Sequence, residues 1–264
     1  MTTAVPIPCL ATLPRPVFAR KDSWPSGSWT EPHRHDWIQF TYAARGVLQV
    51  RTSCGNHLSP PQRAIWIPPD MLHSLSAHST VALRTLYIAT NYISAHMKCW
   101  IPLTTIRVVE MSPLVRELLR TFSRRPVCYD EHGADGRLVG VLLDELLTLP
   151  EAGLSLPLPN DPRLITLCEN MLDNPGETHS LSRLAVRANM SDRTLTRLFR
   201  TETGLPLREW RQRARIFAAL PELESGRGIT TVALEVGYSS TSAFTAAFRE
   251  LMGCTPGEFC RNLD

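Results

Sequence analysis

His33 and His35 alternate along the chain, so on an extended strand both imidazoles would leave the same face, with Gln39 joining them two pleats later. His73 follows Pro68-Pro69, where a neighbouring strand would bring its ring to the same place. Three imidazoles on one face can hold a divalent transition metal, or can hydrogen-bond a polar or anionic ligand. A second group of residues has a different chemistry. Between Thr178 and Arg215 nine arginines (183, 187, 193, 197, 200, 208, 211, 213, 215) stand against Asp192, Glu202 and Glu209, a local balance of 9 − 3 = +6. A guanidinium is a planar fork that matches phosphate oxygens and guanine edges, and a basic face is the footprint of a nucleic-acid contact. Charge alone fits a solvated helical face equally well.

An internal repeat decides between those two readings. Phe199-Arg200-x3-Gly204-x4-Glu209-Trp210 recurs 49 positions later as Phe248-Arg249-x3-Gly253-x4-Glu258-Phe259, and Ala185 with Ser191 recurs 48 positions later as Ala233 with Ser239. Each copy reads as a short helix, a turn and a second helix. The first runs Leu181 to Ala188, turns at Asn189-Met190 and resumes over Ser191 to Thr203; the second runs Thr230 to Val236, turns at Gly237-Tyr238 and resumes over Ser240 to Met252. Ala185 and Ala233 sit where one helix crosses the other, which calls for a small side chain.

Ser191 and Ser240 are helix-start signals. Within the second helices Leu195, Leu198 and Phe199, then Phe244, Ala247 and Phe248, form inward stripes. Ser191, Arg193, Thr194, Arg197 and Arg200, then Ser240, Thr241, Ser242, Thr245 and Arg249, are left to meet phosphates and base edges. Pro206 opens a bridging helix that ends at Pro221, about 22 Å long. Its length would let the two second helices enter successive major grooves of one duplex.

Residues 181 to 261 resemble the paired helix-turn-helix DNA-binding domain of the AraC/XylS family of bacterial transcription regulators, most specifically through Gly237-Tyr238-Ser239-Ser240 with Phe244, Phe248, Gly253 and Pro256. Pro221, Glu222 and Glu224 depart from that family, which normally continues the bridging helix there. The resemblance implies double-stranded operator DNA as partner, with RNA polymerase as a second partner.

These groups must be positioned by two different kinds of structure. Residues 1 to 149 hold seven of the eight histidines and show short β-branched and aromatic runs broken by Gly and Pro, which predicts a mainly β domain. The proline-rich stretch 150 to 162 reads as a linker, and 163 to 264 as an all-α domain. The fold class is thus two-domain α+β. The layout Gly27-x5-His33-x-His35-x3-Gln39-x6-Gly46, with Pro68-x-Asp70-x2-His73, is similar to the two motifs of the cupin superfamily, which implies a small β-barrel with an effector site at His33, His35, Gln39 and His73. The metal-binding form of that motif has Glu where this chain has Gln39, and usually Gly where it has Asp70, so no metal and no cofactor is expected.

Two accessory helices follow, Pro113 to Phe122 and Ala134 to Leu149. The second carries two apolar stripes, Leu138, Val141, Leu142 and Leu146 beside Val139, Leu143 and Leu147, which is read as a homodimer contact.

The chain has 264 residues with 43% hydrophobic and 20% charged, ordinary for a globular protein. No run approaches the roughly 18 apolar residues of a membrane span, and the N-terminus lacks the layout of a signal peptide, so a cytoplasmic protein is expected. Seven scattered cysteines without a C-x-x-C pair argue against a disulfide framework or structural zinc. The net charge of +3 decides nothing by itself, although the basic residues are almost all Arg, with Lys only at positions 21 and 98. No nucleophile-base pair, P-loop or dinucleotide fingerprint is present, and no catalytic residue is assigned. The leading function is a DNA-binding transcription regulator modulated by a small-molecule effector in the barrel. The alternatives are a metal-dependent cupin enzyme with a helical appendage, and a constitutive DNA-binding protein.

Overall fold

A computed structural model describes residues 3–7, 12–60, 63–77, 80–96 and 104–261. It divides into two compact units, residues 1–52 with 57–153 and residues 53–56 with 154–264. The N-terminal elements are strands β1 (Thr3–Ala4), β2 (Val17–Trp24), β3 (Ser28–Trp29), β4 (Ile38–Arg45), β5 (Leu48–Thr52), β6 (Gly55–Ser59), β7 (Arg63–Ile67), β8 (His73–Ala77) and β9 (Val81–Ile88), helix α1 (Thr90–His96), strand β10 (Arg107–Glu110), and helices α2 (Pro113–Phe122) and α3 (Ala134–Leu147).

The strands form two sheets. One is antiparallel in the order β10-β7-β4-β9-β2, and the other runs β1-β3-β8-β5-β6. Among the described residues the two sheets do not close into a continuous barrel, an arrangement consistent with the cupin-like domain expected above. Closure needs every strand paired on both sides, and here β2 ends its sheet while β1 and β3 are only two residues long.

Period-two alternation on β4 separates two environments. Ile38, Phe40 and Tyr42 join Leu86 and Ile88 of β9 in a core that α2 and α3 cover with Val115, Leu119, Val139, Leu142, Leu143 and Leu146. Gln39 and Thr41 leave the other face, where the Thr41 hydroxyl meets that of Thr85 on β9 at 3.2 Å. The double stripe of α3 is therefore mostly spent on its own sheet. Leu142 is fully buried, and of the stripe residues it is Val141 that stays exposed, at 50%. This corrects the reading of Leu142 as part of a surface.

The proline-rich segment 150–162 is structured in both halves. Residues 150–152 add to the edge of β10, with Glu110 donating to the Pro150 carbonyl and Ala152 to that of Val108. Ser155–Pro157 then forms β11.

The helical unit holds α4 (Pro162–Asp173), α5 (Leu181–Arg187), α6 (Asp192–Thr203), α7 (Leu207–Glu224), α8 (Ile229–Glu235), α9 (Thr241–Met252) and α10 (Pro256–Arg261). The bridging helix α7 does not end at Pro221; it continues through it to Glu224, giving 18 residues, about 27 Å. Proline removes one backbone donor, but Leu220 and Leu223, each 1% exposed, anchor the last turn. The Ser225 amide closes that turn on the Pro221 carbonyl. Around α7 pack α4, α6, α8, α9 and α10. Trp210 is the centre of the first half: fully buried, it stands edge-on to Phe199 at 5.8 Å and donates its indole N–H to the Pro157 carbonyl at 2.7 Å.

Candidate nucleic-acid interface and sensor site

Each helix-turn-helix unit is held in register by local chemistry. The Ser191 hydroxyl accepts from the Thr194 amide and the Ser240 hydroxyl from the Ala243 amide, both at 3.2 Å, so each second helix starts from a satisfied cap. Ala185 and Ala233 are 1% and 0% exposed at the helix crossings. Leu195, Phe199, Phe244, Ala247 and Phe248 are buried, while Leu198 is only half-buried.

On the opposite face Arg193, Arg197, Arg200, Ser242 and Arg249 are exposed, and Thr194, Thr241 and Thr245 are half-buried. Ser191 and Ser240 are exposed as well, although their hydroxyls serve as caps.

The nine arginines separate by environment. Arg187 binds His179 and Glu177, Arg211 donates to the His179 and Glu177 carbonyls, Arg213 to Ser155 and Glu209, and Arg215 to Pro175 while lying 5.8 Å from the Tyr238 ring centre. These four tie the helical unit together. Among the described residues the guanidinium groups of Arg183, Arg193, Arg197, Arg200 and Arg208 have no protein partner and stay exposed. They can meet a polyanion without breaking an internal contact.

Between α6 and α9 lies a groove of about 810 Å³ whose walls include Thr196, Arg208, Gln212, Ala243, Ala246 and Glu250. Thr196 escaped the sequence reading. It is exposed and hydrogen-bonds its own turn through the Asp192 carbonyl. The 49-residue offset that maps Arg200 to Arg249 also maps Thr196 to Thr245, so the repeat contained the signal.

In the N-terminal unit the four predicted residues come together, but not by the expected route. His33 and His35 precede β4 and do not share a regular strand with Gln39. Instead His33 forms an isolated antiparallel bridge with His73, each amide donating to the other's carbonyl at 2.9 Å. The Asp70 amide donates to the His35 carbonyl at 2.8 Å. Asp70 does so at φ +59°, the left-handed region that Asp tolerates better than most residues. The ring centres of His33 and His73 are 4.3 Å apart, those of His35 and His73 5.1 Å, and those of His33 and His35 6.0 Å.

Each imidazole donates Nδ1–H to a nearby carbonyl: His33 to Glu31 at 2.9 Å, His35 to Trp37 at 2.8 Å and His73 to Met71 at 2.9 Å. On neutral rings that assignment leaves a lone pair on the Nε2 of His33 and of His73. The His35 Nε2 meets the Gln39 side-chain amide at 3.0 Å, so a neutral His35 requires that amide to turn its NH2 toward the ring. Burial pushes the His73 pKa down to about 3, with its carbonyl contact opposing the shift and the two neighbouring imidazoles reinforcing it. Burial lowers His33 as well. Both rings are therefore neutral at physiological pH. The cavity beside His33 is small, about 30 Å³, with Arg20, Trp24, Gln39, Thr85 and Tyr87 also in its wall.

Comparison with known proteins follows the same division. A helix-turn-helix domain model matches residues 184–262, and an AraC-like ligand binding domain model matches residues 19–147. Over 231 residues the chain is 34% identical to the HTH-type transcriptional regulator NimR of Escherichia coli (strain K12), covering 88% of this chain and 82% of that protein. It is 30% identical over 133 residues to the arabinose operon regulatory protein of Salmonella typhimurium, covering 50% and 46%. Among solved structures, ToxT from Vibrio cholerae aligns over 94% of this chain and 99% of its own with 10% identity and a TM-score of 0.40.

Proposed function

Because the chain belongs to the AraC family of transcription regulators, with an N-terminal ligand-binding domain and a C-terminal helix-turn-helix domain, we propose that α6 and α9 read two adjacent major grooves of one DNA operator. The observation that carries this reading is the exposed, internally unpartnered set Arg193, Arg197 and Arg200 on α6, matched at the 49-residue offset by Ser242, Ala246 and Arg249 on α9. Arg197 suits the O6 and N7 acceptors of a guanine, and Ala246 offers only a methyl group at the equivalent place, so the two half-sites differ and the operator is asymmetric. Ser191, Thr194, Ser240, Thr241 and Thr245 supply backbone and base-edge contacts around them. Residues 163–264 carry this activity, separated by 150–162 from a sensor of residues 1–149.

The sensor answers a small ligand at His33, His35, Gln39 and His73, and its occupancy shifts DNA affinity by favouring one state of the protein over another. Among the described residues no helix is long and apolar enough to cross a membrane. The regulator is read as cytoplasmic, with RNA polymerase as a second partner. Self-association to a homodimer would use the outer side of α2 and α3, where Leu114 and Val141 are exposed. No reaction is assigned.

The test is a binding titration on a duplex selected from a random pool by the full chain. Inserting about 5 base pairs between the two contacted segments turns them to opposite faces of the helix and should weaken binding at least about tenfold. Equal affinity for the spaced duplex would overturn the two-groove reading.

A further inference from the structure

We propose that the bridging helix α7 makes a third DNA contact, in which the Arg208 guanidinium binds a phosphate of the backbone lying between the two major-groove half-sites. The inference rests on the two-groove reading above and adds to it a contact that positions the protein without reading sequence.

Two successive major grooves on one face of a duplex are separated by one minor groove, whose rims are the two phosphate strands. Whatever joins α6 to α9 must therefore pass over a row of phosphates. In this chain that element is α7, which walls the groove of about 810 Å³ between α6 and α9 with Pro206, Leu207, Arg208 and Gln212. The α6 side contributes Thr196 and the α9 side Ala243 and Ala246, all three exposed. Ala246 belongs to the outward face of α9 already placed on DNA, so the groove is continuous with that interface. Its short side chains leave α7 open to an approaching backbone.

Charge singles out one residue in the groove. Among the described residues its walls hold three guanidinium groups, those of Arg208, Arg211 and Arg215, against one carboxylate, that of Glu250. Arg211 and Arg215 are committed to the protein, since they donate to the carbonyls of His179, Glu177 and Pro175. Arg208 is exposed and, among the described residues, has no protein partner. A phosphate bound there breaks no internal contact, and its oxygens match the guanidinium fork.

Glu250 opposes that contact. Gln212, one turn beyond Arg208 and about 6 Å further along α7, donates its amide to the Glu250 carboxylate at 3.4 Å. The acid is thus placed toward α9, where it repels the same backbone and holds affinity down. The repeat makes the Arg208 contact a single one. The 49-residue offset that pairs Arg200 with Arg249 pairs Arg208 with Gly257, which has no side chain to offer.

The test uses the full chain and the selected duplex, with phosphates between the two contacted segments replaced one at a time by neutral methylphosphonates. In the unaltered protein, replacement at one or two central positions should weaken binding about tenfold. Arg208→Gln should weaken binding about tenfold on every duplex and reduce the slope of log affinity against log salt by about 0.9. The same neutral phosphates should then cost that variant nothing further. Arg208→Lys keeps the charge and should keep the slope, and Glu250→Gln should tighten binding to every duplex. Thermal melting checks that each variant folds.

Indifference of the unaltered protein to every central methylphosphonate overturns the contact, as does an unchanged salt slope in folded Arg208→Gln. A loss confined to particular central base pairs would place the guanidinium in the minor groove and overturn it too. The insertion of about 5 base pairs judges the two-groove reading separately. A spaced duplex that binds weakly, together with an unchanged slope in Arg208→Gln, leaves that reading standing and sinks the third contact.

Discussion

Asn189 and Gly237, 48 residues apart, occupy the same place in the two turns, with φ of +53° and +86°. Both turns need the left-handed region, and the chain meets that need once with Asn and once with Gly. The neighbourhoods differ: a Cβ at 237 would lie 2.8 Å from the Gly176 carbonyl oxygen and 2.9 Å from an Arg215 nitrogen.

Asn189→Gly should therefore be neutral within about 0.5 kcal/mol and Asn189→Ala should cost about 1 kcal/mol, while Gly237→Ala should cost about 2 kcal/mol or more. Urea denaturation of the full chain measures all three. Equal losses for the two alanine variants would mean that steric contact at 237 is unimportant.

Arg197 and Arg211 are both in the basic stretch but should behave in opposite ways. Arg197→Ala should weaken DNA binding by about 1–3 kcal/mol, relax specificity at one base pair and leave the melting temperature alone. Arg211→Ala should lower the melting temperature, since its guanidinium holds the His179 and Glu177 carbonyls. A uniform loss over all sequences for Arg197→Ala would make it a phosphate contact instead.

On α3, adjacent residues separate association from folding. Leu142→Ala should destabilise the sensor by about 2–5 kcal/mol because it empties a fully buried position. Val141→Glu should leave stability within about 0.5 kcal/mol and, if α3 forms the dimer contact, shift sedimentation toward monomer. An unshifted dimer in Val141→Glu would remove α3 from the interface.

The sensor should lose stability in mild acid. Burial lowers the His57 pKa from 6.5 to about 4, and neither ring nitrogen has a hydrogen-bond partner. The unfolded chain takes up a proton below about pH 6.5 that the folded one refuses, so unfolding gains about 3 kcal/mol between pH 6.5 and 4 and then levels off. His57→Leu should remove that share of the slope in denaturation curves collected from pH 7 to 4. An identical slope in the variant would show that His57 is not buried neutral.

The helical unit was legible because its information is local. Apolar positions three and four apart, Ser caps three residues before the amides they bind, and turn residues at a constant offset all act within a few residues of one another, so the repeat exposed them together. The outward residues of α6 and α9 follow from the same periodicity, and the 49-residue offset that pairs Thr196 with Thr245 places Thr196 among them. What stayed hidden depended on partners distant in the chain. Pro221 looked like a helix end because its local effect is disruptive, and burial of Leu220 and Leu223 outweighs it.

Leu142 and Val141 read alike as apolar helix residues until the sheet that covers one of them was in place. His33, His35, Gln39 and His73 could be listed from their types and spacing, but a single strand was the wrong device for uniting them. The bridge to His73 and the Asp70 amide on the His35 carbonyl bring the rings together. Whether three imidazoles share a face is settled by backbone pairing across about 40 residues, and no periodicity within one segment encodes it.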